Sequence, residues 1–159
     1  MRNWINEWQQ EGLLHVWRYA NAKHHWRGWH FAADPAGSRS VRNLLDRMLA
    51  GEPSHRTLKL AAVTDAVLSV PNYAQKNAGQ FEKLRIEYRP DFENLRITPE
   101  GAALMMTIGD QRMRKLAAAF ADVEIGGGDF GIETSSDRNA DPWMFWWMPN
   151  INYYDGKRL

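Results

Sequence analysis

Two stretches of the chain carry the same apolar stripe, and their agreement limits the fold more than any other feature. Val41, Leu44, Leu45, Met48 and Leu49 recur at i, i+3, i+4, i+7 and i+8, and Met113, Leu116, Ala117, Phe120 and Ala121 repeat that spacing 72 residues later. Apolar residues at this period line one side of an α-helix, so each half of the chain holds a helix that needs covering. The strand signals that follow keep the register: Leu58 stands 72 residues before Phe130, and Leu60 72 before Ile132. Asp34 and Asp110 precede the stripes at an offset of 76, and Val70-Pro71-Asn72 and Met148-Pro149-Asn150 close the two segments at 78. Constant offset through a helix and its next strand, with changes confined to loops, predicts a duplicated unit. We place the copies at about 13–72 and 81–150 within one domain spanning 1–159.

Each copy reads as strand, helix, strand, strand. Residues 13–19 and 28–33 are rich in β-branched and aromatic side chains and predict a hairpin, with a short helix over 3–11 docked before it as a lid. Ser38 or Ser40 is the expected N-cap of the first main helix and Asp110 that of the second. Strands are expected at 57–61 and 66–70. In the second copy Leu84, Ile86 and Tyr88 alternate with charged residues as in a half-buried strand, and 95–98, 102–108 and 129–133 supply further strands. Gly126-Gly127-Gly128 ends the second helix. Residues 143–147, WMFWW, are apolar on both alternating faces, which fits a central strand in a covered sheet or one with a sticky face. The expected fold is α+β, with two diverged β-α-β-β repeats about a pseudo-twofold axis, either joined in an antiparallel-rich sheet with both main helices packed on one face, the arrangement favoured here, or forming two small sheets face to face.

Composition excludes several chemistries. The 159 residues include no cysteine, so disulfides, thiolate metal sites and cysteine nucleophiles are absent from the chain. Residues 1–12 offer no apolar signal-peptide core, and no run approaches the roughly 18 apolar residues of a membrane helix. A cytoplasmic location and no membrane partner are expected. The net charge of +1 conceals an asymmetry: 1–80 hold ten Lys and Arg against six Asp and Glu, and 81–159 hold ten against thirteen.

Few constellations point to chemistry. His15, His24, His25 and His30 fit no zinc spacing, His24 and His25 diverge as neighbours, and no carboxylate lies between Glu11 and Asp34. No metal and no cofactor are expected. Trp17, Trp26 and Trp29 flank the basic residues Arg18, Lys23 and Arg27, a mixture able to stack bases and neutralise phosphates, though no nucleic-acid motif accompanies it. His30 and Asp34 could pair as an imidazole and its orienting carboxylate in a cleft between the copies, giving an enzyme or ligand binder. The GGGDFG run follows a helix, opposite to a phosphate-cradling loop, which opens one.

The segments GDQRMRKLAAAFADVEIGGGDFGIE and DPWMFWW resemble small uncharacterised bacterial proteins of the kind associated with polymorphic-toxin immunity, over about residues 102–149. The resemblance implies a cytoplasmic protein that binds and neutralises a cognate toxin and leaves catalysis to its partner. A non-catalytic interaction module is therefore the leading expectation, with Asp137, Asp141, Trp143, Trp146 and Trp147 as its partner-binding residues and the acidic second half facing a basic protein. The alternatives are a small enzyme or ligand binder at His30 and Asp34, and single-strand nucleic-acid binding by the first half. The sequence carries no signal of oligomeric state.

Overall fold

The structure, a computed structural model, describes residues 4–20, 27–68, 79–137 and 139–147. His24, His25, Trp26 and both Pro-Asn pairs lie outside the described residues. The element order is α1 (Trp4–Glu7), β1 (Leu14–Trp17), β2 (His30–Ala33), α2 (Pro35–Leu49), β3 (Ser54–Lys59), α3 (Asp65–Leu68), β4 (Lys83–Tyr88), β5 (Arg96–Glu100), β6 (Ala103–Ile108), α4 (Asp110–Glu124), β7 (Phe130–Ile132) and β8 (Trp143–Phe145).

The fold is α+β, with the strands in two mixed four-stranded sheets rather than the single antiparallel-rich sheet expected. The first sheet runs β1-β2-β8-β7 and the second β3-β4-β6-β5. Each has antiparallel outer pairs and a parallel central pair, β2 with β8 and β4 with β6. Each sheet thus joins one antiparallel pair from before β5, β1 with β2 or β3 with β4, to one from β5 onward, β7 with β8 or β5 with β6. Parallel pairing at the centre cannot be made by a tight turn, so it joins distant segments that no local pattern announces. The sheets touch at both pairs of edges: the Ala61 amide donates to the Leu14 carbonyl at 2.8 Å, and the Leu95 amide to the Thr134 carbonyl at 2.8 Å.

Both stripes form the expected helices. Asp34 caps α2, its Oδ1 accepting from the Gly37 amide at 2.6 Å, with Pro35 inside the first turn, where a missing N–H costs nothing. Ser38 and Ser40 are therefore not caps but buried members of the first turns. The cap of α4 is Gly109 rather than Asp110, with no side-chain bond. A Cβ on Gly109 would collide with the Phe92 carbonyl, so loop and helix meet too closely for a capping side chain. Asp110 instead accepts from the Tyr88 hydroxyl. Burial first, and this bond second, push the Tyr88 phenol up to about 12.

The helices pack side by side and run antiparallel, since Arg39 and Arg42 in the first half of α2 meet Glu124, the last residue of α4, at 3.7 and 2.9 Å. One core joins them to the inner faces of both sheets. In the first sheet Phe31, Phe145 and Phe130 form a stacked ladder across β2, β8 and β7, with ring centroids 4.8 and 5.5 Å apart, and Phe120 of α4 meets Phe31 and Phe145 edge-on.

Two further expectations are corrected. The residues expected as a strand over 66–70 include the last turn of α3, whose Val67 packs behind the first sheet, while Thr64 accepts from the amides of Val67 and Leu68. The N-terminal helix is a single turn, because Gln10 and Glu11 leave it for other partners: Gln10 bonds both the amide and the carbonyl of Lys59, and the Glu11 amide donates to Ser40 Oγ. Trp8 still docks as expected, buried, with its indole N–H on the Ser40 carbonyl at 2.8 Å.

Candidate functional site

The edge where β5 meets the chain beyond β7 carries two exposed acidic loops. Asp91 and Glu93 stand on one, Glu133, Asp137 and Asp141 on the other, all exposed. Arg112, in the first turn of α4, holds them together. Its side chain is buried, with Nε donating to the Glu93 carbonyl at 3.0 Å and a terminal nitrogen to the Glu133 carbonyl at 3.1 Å. A buried guanidinium satisfied by carbonyls is a strong fixed link, since its removal would strand both acceptors.

The longer loop is braced internally as well. Thr134 Oγ1 donates to the Asp141 carbonyl at 2.9 Å, the Asp137 amide to Ser135 Oγ at 3.0 Å, and the Asn139 amide to Asp137 Oδ1 at 2.9 Å. Asp137 thus shapes the loop with one carboxylate oxygen, an Asx turn that holds its own backbone. The carboxylates are spread along a rim, and among the described residues no three acidic or histidine side chains are placed to hold a metal ion.

The aromatic residues expected beside this loop have another role. Trp143 is 3% exposed and faces the core, and Trp146 is 5% exposed behind the first sheet, so neither offers a surface; Trp147 is half-buried. β8 lies at the centre of its sheet with both faces covered, which is what its uninterrupted apolar run encodes.

Behind the first sheet lies a second layer of Trp17, Tyr19, Ala32 and Trp146, covered by Val63 and Val67. His30 belongs to it. The ring is fully buried, stacks between Trp17 and Trp146 with centroids 5.6 and 6.1 Å away, and accepts the Trp146 indole proton on Nδ1 at 3.0 Å. The structure therefore joins His30 to Trp146, two residues assigned to different sites from sequence, and does not join His30 to Asp34. Asp34 is committed elsewhere, capping α2 and accepting from the Leu13 amide at 2.9 Å. His15 faces the same layer, 5% exposed, with neither ring nitrogen hydrogen-bonded; the Trp17 indole N–H is likewise without a partner. Burial pushes the His15 imidazole below its ordinary value, outweighing the Ala62 backbone and the Asp34 carboxylate, which favour the cation.

The basic first half shows no stacking platform among the described residues. Trp17 and Trp29 are buried, and Arg18 lies over the Trp29 ring at 4.9 Å. No helix among the described residues is long and apolar enough to cross a membrane.

No family model, curated protein or solved structure matches this chain. Function is accordingly read from the side chains. Arg112 was missed in the sequence, where an arginine on a helix reads as a solvated face. Its one signal is position: it stands four residues before Leu116, on the apolar side of the stripe.

Proposed function

We propose that the chain is a cytoplasmic, non-catalytic interaction module that binds a basic protein partner through the acidic end, and that the partner is a cognate bacterial toxin which it neutralises. The observation that carries the surface is Arg112: one buried side chain fixes two acidic loops against each other, so five exposed carboxylates are held in place before a partner arrives. Pre-ordering the loops lowers the entropic cost of binding, and the excess of carboxylates over basic residues in these loops steers a basic protein into contact. The toxin-neutralising role follows from the resemblance of residues 102–149 to immunity proteins.

The same reading includes a duplication. The order of the first sheet becomes that of the second when the two halves of the chain are exchanged, β1 for β5, β2 for β6, β3 for β7 and β4 for β8. A repeat of hairpin, helix, hairpin accounts for this; it departs from the strand, helix, strand, strand unit and the bounds 13–72 and 81–150 expected from sequence, because β4, paired antiparallel with β3, goes to the first copy. The copies then differ in their loops, and the acidic end sits where the second copy departs from the first.

The test is a photo-crosslinking amino acid in place of Asn139, on the rim between Asp137 and Asp141, in cells carrying the native gene neighbourhood. One basic crosslinked protein is expected, toxic when expressed alone and harmless beside the intact chain. The double charge reversal Asp137→Arg with Asp141→Arg slows association about tenfold or more and abolishes protection. Protection retained in full by that double variant overturns the assignment.

A further inference from the structure

The opposite junction of the two sheets, where β1 approaches β3, is built differently. Residues 8–14 run beside β3 as a strap that stands off from the strand. It is pinned along its length: Arg56 donates to the Trp8 carbonyl at 3.0 Å, Gln10 bonds Lys59 twice, and Leu14 accepts from Ala61. On its other side Leu13 is fixed by Asp34, and Glu11 by Ser40. Between strap and strand a cleft of about 530 Å³ remains open, within the roughly 300–1,000 Å³ of small-molecule sites.

The cleft has a definite chemistry. Arg56 and Lys59 are the charged residues lining it, and no carboxylate lines it with them. The Arg56 guanidinium spends one donor on Trp8 and rests over its ring at 5.6 Å, which leaves donors over for an anion. Lys59 has no ion-pair partner among the described residues, and its backbone is already satisfied by Gln10, which mimics the peptide group of a neighbouring strand. The apolar part of the lining is Leu13 on the strap and Leu60 just beyond β3, and Gln9, Gln10 and Thr57 add polar groups. Leu13 is 50% exposed, one of two large apolar side chains left in solvent among the described residues.

We propose that this cleft binds a small organic anion, its charged group on the spare donors of Arg56 with exposed Lys59 adding positive charge at the rim, and an apolar body against Leu13 and Leu60. The walls are fixed before binding, so little ordering opposes it. The site is separate from the acidic end and stands whether or not that end binds a toxin.

The probe is 4-phenylbutyrate, titrated while the amide resonances of Thr57, Leu60 and Ala61 are followed by NMR. Saturable shifts confined to the cleft are expected, with binding about tenfold weaker for the uncharged 4-phenylbutanol and about tenfold weaker in Lys59→Glu, a change at an exposed position. Leu13→Asp, also exposed, weakens the acid by a similar factor. Shifts that never saturate, equal binding of acid and alcohol, the same shifts from sodium sulfate alone, or unchanged affinity in both variants each overturn the site.

Discussion

The two sheets share one plan and treat their outer faces in opposite ways. In the second sheet β4 and β6 alternate buried and partly exposed residues, and the outer face is polar: His55, Glu87, Thr107 and Arg96 lie in register across it, followed by Thr57, Arg85, Met105 and Thr98. In the first sheet β1 and β2 are buried at every position, and the outer face lies under Val63 and Val67. One sheet spends its polar residues on water; the other encloses two histidines and two indoles. Covering the face also leaves His15 and the Trp17 N–H without hydrogen bonds, a cost the open face never incurs.

The comparison breaks first at Trp146. Trp146→Ala empties a site that fills the covered face and takes the donor from His30, so a loss of about 3–5 kcal/mol is expected in denaturant unfolding; a loss under about 1 kcal/mol would mean that the face is not packed as a core. His15 comes next. Its folded-state pKa lies below the ordinary 6.5, so the unfolded chain takes up the proton first. Stability is full above pH 6.5 and falls as acidification proceeds from 6.5 toward the folded value. Thermal melts of His15→Leu across pH 5–8 should show a shallower slope than the parent. A smaller effect belongs to Gln10→Ala, which strips the amide and carbonyl of Lys59 of their partners at an exposed edge and costs about 1 kcal/mol by urea titration. Smallest is Arg85→Ala on the open face, within about 0.5 kcal/mol of the parent. A larger change there would show that something covers the second sheet too.

What could be read from sequence followed the range of the interactions. The stripes of α2 and α4 were legible because a helix repeats its burial pattern within a few residues, and β4 because a one-sided strand alternates. The run Trp143 to Trp147 left open a covered central strand or a strand with a sticky face, of which β8 is the first, and gave no hint that its partner is β2, at a distance where Trp146 reaches a histidine 116 residues earlier. The parallel pairs were invisible for that reason, and the expectation of a single sheet failed with them. Within the candidate site the charges of Asp137 and Asp141 were plain. The tryptophans beside them were misplaced, since bulk and aromaticity mark interfaces and cores alike.

The two junctions between the sheets differ in the same instructive way. Three residues past the cap of α4 stands Arg112, whose side chain fills the space between loops. Three residues past the cap of α2 stands Gly37, where any Cβ would strike the Leu13 carbonyl, so the strap itself takes that place and the cleft beside β3 stays open. The third residue after each helix cap thus goes with a fixed charged rim at one junction and an open groove at the other.

The exchange of hairpins between sheets also governs how the chain can be made. β2 waits for β8 and β4 for β6, so a ribosome that has released the chain through β4 has supplied only one antiparallel pair of each sheet. Contacts of such long sequence separation fold slowly, and loop closure precedes their reward. The layer around Trp17 and His30 stays incomplete during synthesis until Trp146 emerges, although Val63 and Val67 precede it. A fragment ending between β4 and β5 would lack the centre partner of both sheets, and the two halves, supplied as separate chains, would have to find each other before either could fold.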